Sequence, residues 1–171
     1  WNSIEEDRKL IPKLGTSEKF ISPFLILCLE DAPELHHLRS KIFAKNKYPS
    51  QPIPLPTKPL KKLERIRIGY FSADFKEHPV AYLIAGVIEK HNRDKFEIFG
   101  YSLKANNEGE LQKRLINSFD VFNDVSEISD KDVALLSRQD NIDIAIDLNG
   151  YTQNNRTKIF AYRAAPIQIN Y

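Results

Sequence analysis

From Ile66 to Tyr171, apolar runs of strand length alternate with amphipathic runs of helix length, and no other property of this sequence restricts its fold as strongly. "RIRIGYFSA" reads as a buried strand, "PVAYLIAGVIEKH" as a helix, "FEIFGYSL" as a strand and "GELQKRLINSF" as a helix. "DVFNDV", "IDIAIDLNG" and "PIQINY" continue the strands, with "SDKDVALLSRQ" and "NRTKIFAYR" as the helices between them. Strands of about five to eight residues separated by helices of about nine to thirteen cannot pair as hairpins. Each return crosses over the sheet, which gives right-handed βαβ units and a parallel sheet covered on both sides. The expected fold class is α/β: a Rossmann-like parallel sheet with helices on both faces, preceded by a short helical segment.

That segment spans residues 1–46, where "WNSIEEDRKLIPKL" and "EDAPELHHLRSKIFAKN" space apolar residues three and four apart. Pro33 behind Glu30 and Asp31 suits a helix start. The apolar "FLILCLE" between the blocks is either a buried helix or a short strand. Residues 47–62 carry five prolines between Pro49 and Pro59 and no glycine, so they read as an extended, semi-rigid linker that is not packed. A proline-rich recognition site is the alternative. Residues 63–171 are then the Rossmann-like lobe.

Composition excludes several classes. A formal charge of +2, with both signs mixed along the chain, favours neither nucleic acid nor an anionic membrane as a partner. No apolar run approaches the roughly 20 residues that span a bilayer, and no basic, apolar and small-residue series marks a signal peptide, so the expected location is cytoplasmic. Cys28, in "FISPFLILCLE", is expected to be a buried, inert thiol. "HH" at 36 and 37 lacks a third ligand at metal spacing, and no metal is expected. Methionine is absent and the chain opens on Trp1, so it is expected to be a piece of a longer protein.

Parallel sheets bind ligands at the carboxyl ends of their strands, here "SADFKEHP", "SLKANNEG" and "DLNGYTQNN". Neither G-x-G-x-x-G nor G-x-x-x-x-G-K-[ST] occurs in them, which removes the main support for a dinucleotide or P-loop site. Pro79 suits the first helical position, which puts His78 at the cap. There the positive end of the helix favours a neutral imidazole able to accept a proton. Asp74 is either a turn or capping carboxylate or a group that approaches His78 or a substrate hydroxyl. Asn149, Gly150, Tyr151 and Thr152 form either a tight turn or a ligand-binding edge, with Gly150 allowing positive φ. Asp147 lies inside the fourth strand or at its edge. "SDKD" at 129–132 reads as a helix cap, with Ser129 and the aspartates at the positive end of the dipole.

"RIRIGYFSADFKEHPVAYLI", "HNRDKFEIFGYSL", "NIDIAIDLNGYT" and "FAYRAAPIQINY", in that order, resemble the amino-terminal catalytic lobe of the O-linked N-acetylglucosamine transferases, in the bacterial Spindly-like branch. Residues before the proline run, including "SPFLILCLED", resemble the family's segment joining tetratricopeptide repeats to the catalytic region. The resemblance implies the first lobe of a two-lobed GT-B enzyme that inverts configuration while transferring N-acetylglucosamine from UDP-GlcNAc to Ser or Thr of a protein or peptide acceptor. It implies catalytic roles for Asp74 and His78. Substrate contacts are expected from Pro79, Asn149, Gly150, Tyr151 and Thr152 of the neighbouring strand-end loops. No cofactor is implied. The nucleotide sugar is expected to be held mainly by a carboxy-terminal lobe that this chain lacks, leaving the fragment inactive alone. Val80 stands where animal members have threonine, Tyr82 where they have a further histidine, and an upstream histidine of theirs falls near Phe24. Transfer of fucose from GDP-fucose and a non-catalytic scaffold are the alternative functions.

Overall fold

The computed structural model describes residues 2–17, 19–54, 64–105 and 109–171, with the backbone alone at 2 and 3. It divides into two compact units, Trp1–Ser50 and Gln51–Tyr171.

The first unit holds α1 (Asn2–Arg8), a 3-10 turn at Ile11–Lys13, a second at Pro23–Ile26, and α2 (Pro33–Lys47). Arg39, on α2, is fully buried. Its guanidinium donates to the carbonyls of Leu14 at 2.7 Å and Ile11 at 2.9 Å and pairs with the Glu30 carboxylate. "FLILCLE" is neither a buried helix nor a strand. In its single 3-10 turn only Pro23 and Ile26 face inward, while Leu25, Leu27 and Leu29 are exposed. Cys28 is exposed for the same reason: one turn can bury one side of an apolar run and no more.

The second unit is a five-stranded, all-parallel sheet in the order β3-β2-β1-β4-β5. The strands are β1 (Ile66–Ser72), β2 (Phe96–Ser102), β3 (Val121–Asp124), β4 (Ile144–Asp147) and β5 (Ile167–Asn170). Between them run α3 (Pro79–Glu89), α4 (Glu110–Ser118), α5 (Asp130–Gln139) and α6 (Lys158–Ala161). Strand alternation sends Ile68 and Tyr70 to one face, against Ala81, Ile84, Ala85 and Ile88 of α3 and Leu111 and Leu115 of α4. Phe71, Phe99 and Tyr101 face the other side, against Val133 and Ala134 of α5 and Ile159 of α6. On that side Phe71 and Tyr101 stack with centroids 4.4 Å apart. On the α3/α4 side Gly100 gives room to two rings, since a Cβ there would lie 2.7 Å from Phe122 and 3.1 Å from Phe119.

Two details differ from expectation. The helix read in "NRTKIFAYR" has four residues, because Arg156 turns away to bind Asp130 and Arg163 takes a positive φ of 64°. The start of the proline-rich linker is packed: the N–H groups of Gln51 and Ile53 donate to the carbonyls of Ala161 and Tyr162, and Ile53 touches the core. The rest of that linker, at 55–62, lies outside the described residues, as do residue 63 and 106–108 of the second strand-end loop. The "SDKD" cap forms as read: Ser129 Oγ accepts from Asp132 N–H at 3.2 Å, and Asp130 and Asp132 lie in the first turn of α5.

Candidate functional site

Chain order reverses between β1 and β4: β2 and β3 lie to one side of β1, β4 and β5 to the other. Such a switch point leaves a crevice at the carboxyl ends of its two strands. Register pairs Phe71 with Asp147, which sets the "SADFKEHP" and "DLNGYT" loops side by side.

The β1 loop is tied down residue by residue. Ser72 Oγ accepts from the N–H of Asp74 at 3.0 Å. Phe75 is buried against Phe119 and Phe122. Glu77 accepts from the Tyr82 hydroxyl and from Leu111 N–H at the start of α4, bonds that hold its carboxyl below the usual carboxylate range. His78 caps α3, with extended backbone and Nδ1 accepting from Val80 N–H at 3.3 Å, and Pro79 follows in the first turn. The residues between these anchors, Asp74 and Lys76, line a cleft together with His78.

That cleft, about 350 Å³, is completed by Val80, Leu148, Thr152, Gln153 and Asn154. Asp74 and His78 come together there, with Asp74 Oδ2 3.9 Å from His78 Nδ1. The Asp74 side chain is 12% exposed and that of His78 38%. Asp74 does not cap the helix; the histidine does. A neutral imidazole whose Nδ1 accepts a hydrogen bond carries its proton on Nε2. To take up a proton at Nδ1, His78 must release Val80 N–H, and the new N–H then faces Asp74.

In the β4 loop, Thr152 lines the cleft and its hydroxyl donates to the Asn149 carbonyl at 2.8 Å. Gly150 has the positive φ expected of it, 55°, and a Cβ there would lie 3.2 Å from Asn170. Asn149 is 4% exposed, and its amide is engaged by Ala73 N–H and the Asp74 carboxylate. Pro79, Asn149, Gly150 and Tyr151 are not among the residues that line the cleft. Asp147 is the last residue of β4 and is buried. Burial pushes its carboxyl upward, opposed by hydrogen bonds from the N–H groups of Asn149 and Gly150 and from the Asn170 amide.

Sequence reasoning missed Lys76, Leu148, Gln153 and Asn154. Their signal was position alone, since all four lie in or beside the quoted strand-end loops. Among the described residues no cluster of three His, Cys, Asp or Glu could hold a metal ion.

Known proteins resemble the chain in both sequence and structure. Over 122 residues, 71% of this chain and 12% of the other, it is 43% identical to a probable UDP-N-acetylglucosamine-peptide N-acetylglucosaminyltransferase, SEC, of Arabidopsis thaliana. It is 40% identical over 107 residues, 62% of this chain and 9% of the other, to the UDP-N-acetylglucosamine-peptide N-acetylglucosaminyltransferase of Caenorhabditis elegans. A mutant O-GlcNAc transferase of Thermobaculum terrenum superposes with a TM-score of 0.72 at 30% identity, over 96% of this chain and 29% of that one. The chain thus spans a small part of the relatives it matches. The model of the glycosyl transferase family 41 matches residues 28–171, and the chain belongs to that family.

Proposed function

We propose that this chain is the amino-terminal catalytic lobe of a longer, inverting UDP-N-acetylglucosamine-peptide N-acetylglucosaminyltransferase. The observation that carries the reading is the meeting of Asp74 and His78 in an open cleft at the β1/β4 switch point. The relatives named for this activity support it.

In the reaction, the Ser or Thr oxygen of the acceptor attacks the anomeric carbon as the bond to the diphosphate breaks. The hydroxyl proton needs a base and the leaving UDP needs charge stabilisation. Asp74 and His78 provide the route for the proton. Thr152, Gln153 and Asn154 offer hydrogen bonds to an extended acceptor. A second lobe, after this one in the longer protein, supplies most contacts to the nucleotide sugar. The same reading places tetratricopeptide repeats ahead of the catalytic region, the chain in the bacterial Spindly-like branch and its action in the cytoplasm. Among the described residues no helix is long and apolar enough to cross a membrane.

The test incubates the full-length protein with UDP-GlcNAc, or separately with GDP-fucose, and follows transfer to acceptor by intact-mass spectrometry. The 171-residue chain and the full-length His78→Ala variant run beside it. Transfer from UDP-GlcNAc by the full-length protein alone is the expected result. Transfer from neither donor by a folded full-length protein, or turnover by the isolated chain, would overturn the reading.

A further inference from the structure

The β4 loop contains an asparagine side chain that its own turn does not need. An Asn-Gly turn is commonly steadied by the asparagine side chain bonding to nearby backbone. Here Asp147 does that work: Oδ1 accepts from the N–H of Asn149 at 2.9 Å and of Gly150 at 3.2 Å, and Oδ2 accepts from Asn170 Nδ2 at 3.2 Å. The Asn149 amide instead reaches the β1 loop, to a residue 75 positions away in sequence. Ala73 N–H donates to Asn149 Oδ1 at 2.8 Å, and Asn149 Nδ2 donates to Asp74 Oδ2 at 2.7 Å. A backbone N–H can only donate and an ionised carboxylate can only accept, so neither end of the amide can be exchanged for the other.

Two distances decide what holds Asp74. Its Oδ2 lies 2.7 Å from Asn149 Nδ2 and 3.9 Å from His78 Nδ1, so the carboxylate is oriented from the β4 loop and not by the histidine. Among the described residues Asp74 Oδ1 makes no hydrogen bond, and Asp74 lines the cleft. We infer that Asn149 is a positioning residue: it pins Oδ2 of Asp74 across the switch point and so presents Oδ1 to the acceptor hydroxyl, whose proton Oδ1 receives as the sugar–oxygen bond forms. The inference rests on the proposed role of Asp74 in transfer. A pinned carboxylate needs no reorientation before it takes the proton, and preorganisation of this kind acts on turnover and not on binding.

The experiment measures kcat and acceptor KM of the full-length protein with UDP-GlcNAc for Asn149→Ala, Asp74→Asn and the double variant. Asn149→Ala is expected to lower kcat by about 10- to 10²-fold with acceptor KM changed less than about threefold. In the Asp74→Asn background the same alanine should change residual turnover less than about twofold, because no carboxylate remains to be positioned. Equal losses in both backgrounds, or a raised KM at unchanged kcat, would overturn the inference. If the double variant turns over below detection, the split between kcat and KM in Asn149→Ala decides. If Asn149→Ala fails to fold, Asn149→Leu replaces it, since it is close to asparagine in shape and has no donor for Asp74. Full activity of Asp74→Asn alone would instead refute the role of Asp74, a separate failure that its own measurement reveals.

Discussion

Replacing His78 by asparagine separates the helix cap that the histidine supplies from the proton-transfer role proposed for it. Nδ1 caps α3 through a long hydrogen bond of 3.3 Å from Val80 N–H, on a side chain that is 38% exposed. Deleting an N-cap costs about 1 kcal/mol, and asparagine is among the residues that cap best. At about 2.1 cal/mol/K per residue, the entropy of unfolding of the Gln51–Tyr171 unit makes 1 kcal/mol worth about 4 °C in Tm. His78→Ala is therefore expected to melt about 4 °C below the parent, and His78→Asn within about 2 °C of it. Neither loss empties the native state: a domain stable by about 5 kcal/mol keeps about 99.9% of its molecules folded after losing one. Loss of a general acid–base group, by contrast, lowers turnover about 10²- to 10⁴-fold, or about 3–5 kcal/mol in the barrier. Thermal unfolding of both variants, with single-donor transfer kinetics on the full-length protein, tells the tasks apart. Both are expected to lose turnover, while only alanine loses stability. A His78→Asn enzyme within about threefold of wild-type turnover would reduce His78 to a helix cap.

Three further outcomes follow from the packing. Gly100→Ala pushes a methyl group to 2.7 Å from the Phe122 ring and should cost about 1–3 kcal/mol, read as a lowered Tm. The carboxyl of Asp147 is raised by burial, so the native state holds its proton more tightly than the unfolded chain does. Its contribution to stability is full below the ordinary carboxylate range and is lost as pH rises through the raised value, and Asp147→Asn should flatten that part of a pH series of unfolding curves. Arg39→Met removes the donors to the Ile11 and Leu14 carbonyls and leaves Glu30 without its partner, at about 3 kcal/mol, so amides of α2 should exchange about 10²-fold faster with deuterium.

The sheet was legible because strands buried on both faces must be continuously apolar, and the punctuation between them, His78-Pro79 and Asn149-Gly150, names the cap and the turn through local chemistry. "FLILCLE" was not, because a short apolar run looks the same whether or not a partner covers it, and only the structure places Leu25, Leu27 and Cys28 on the surface. Asp74 and His78 were found because they share one loop. What Asn149 does could not be read, because its partners Ala73 and Asp74 lie on another strand, and spacing along a chain carries no trace of such a contact. The same limit left Asp147 undecided: its place at the rim depends on β5, through Asn170, as much as on its own strand.

The charges of the cleft also bear on where the donor is chosen. Asp74 and Lys76 contribute one negative and one positive charge to its lining, and the capped start of α3 has given the N–H of Val80 to His78. A nucleoside diphosphate needs an excess of cations or uncapped helix N-termini to hold it, and the described residues that line this cleft provide no such excess. This agrees with the proposed division, in which this lobe treats the acceptor's proton and another lobe recognises the base and diphosphate. Substitutions at Asp74, His78 and Asn149 should accordingly lower kcat while leaving the ratio of UDP-GlcNAc to GDP-fucose use unchanged, measured by offering both donors to the full-length protein in competition. A variant in this loop pair that shifted that ratio would place donor recognition in this lobe and refute the division of labour.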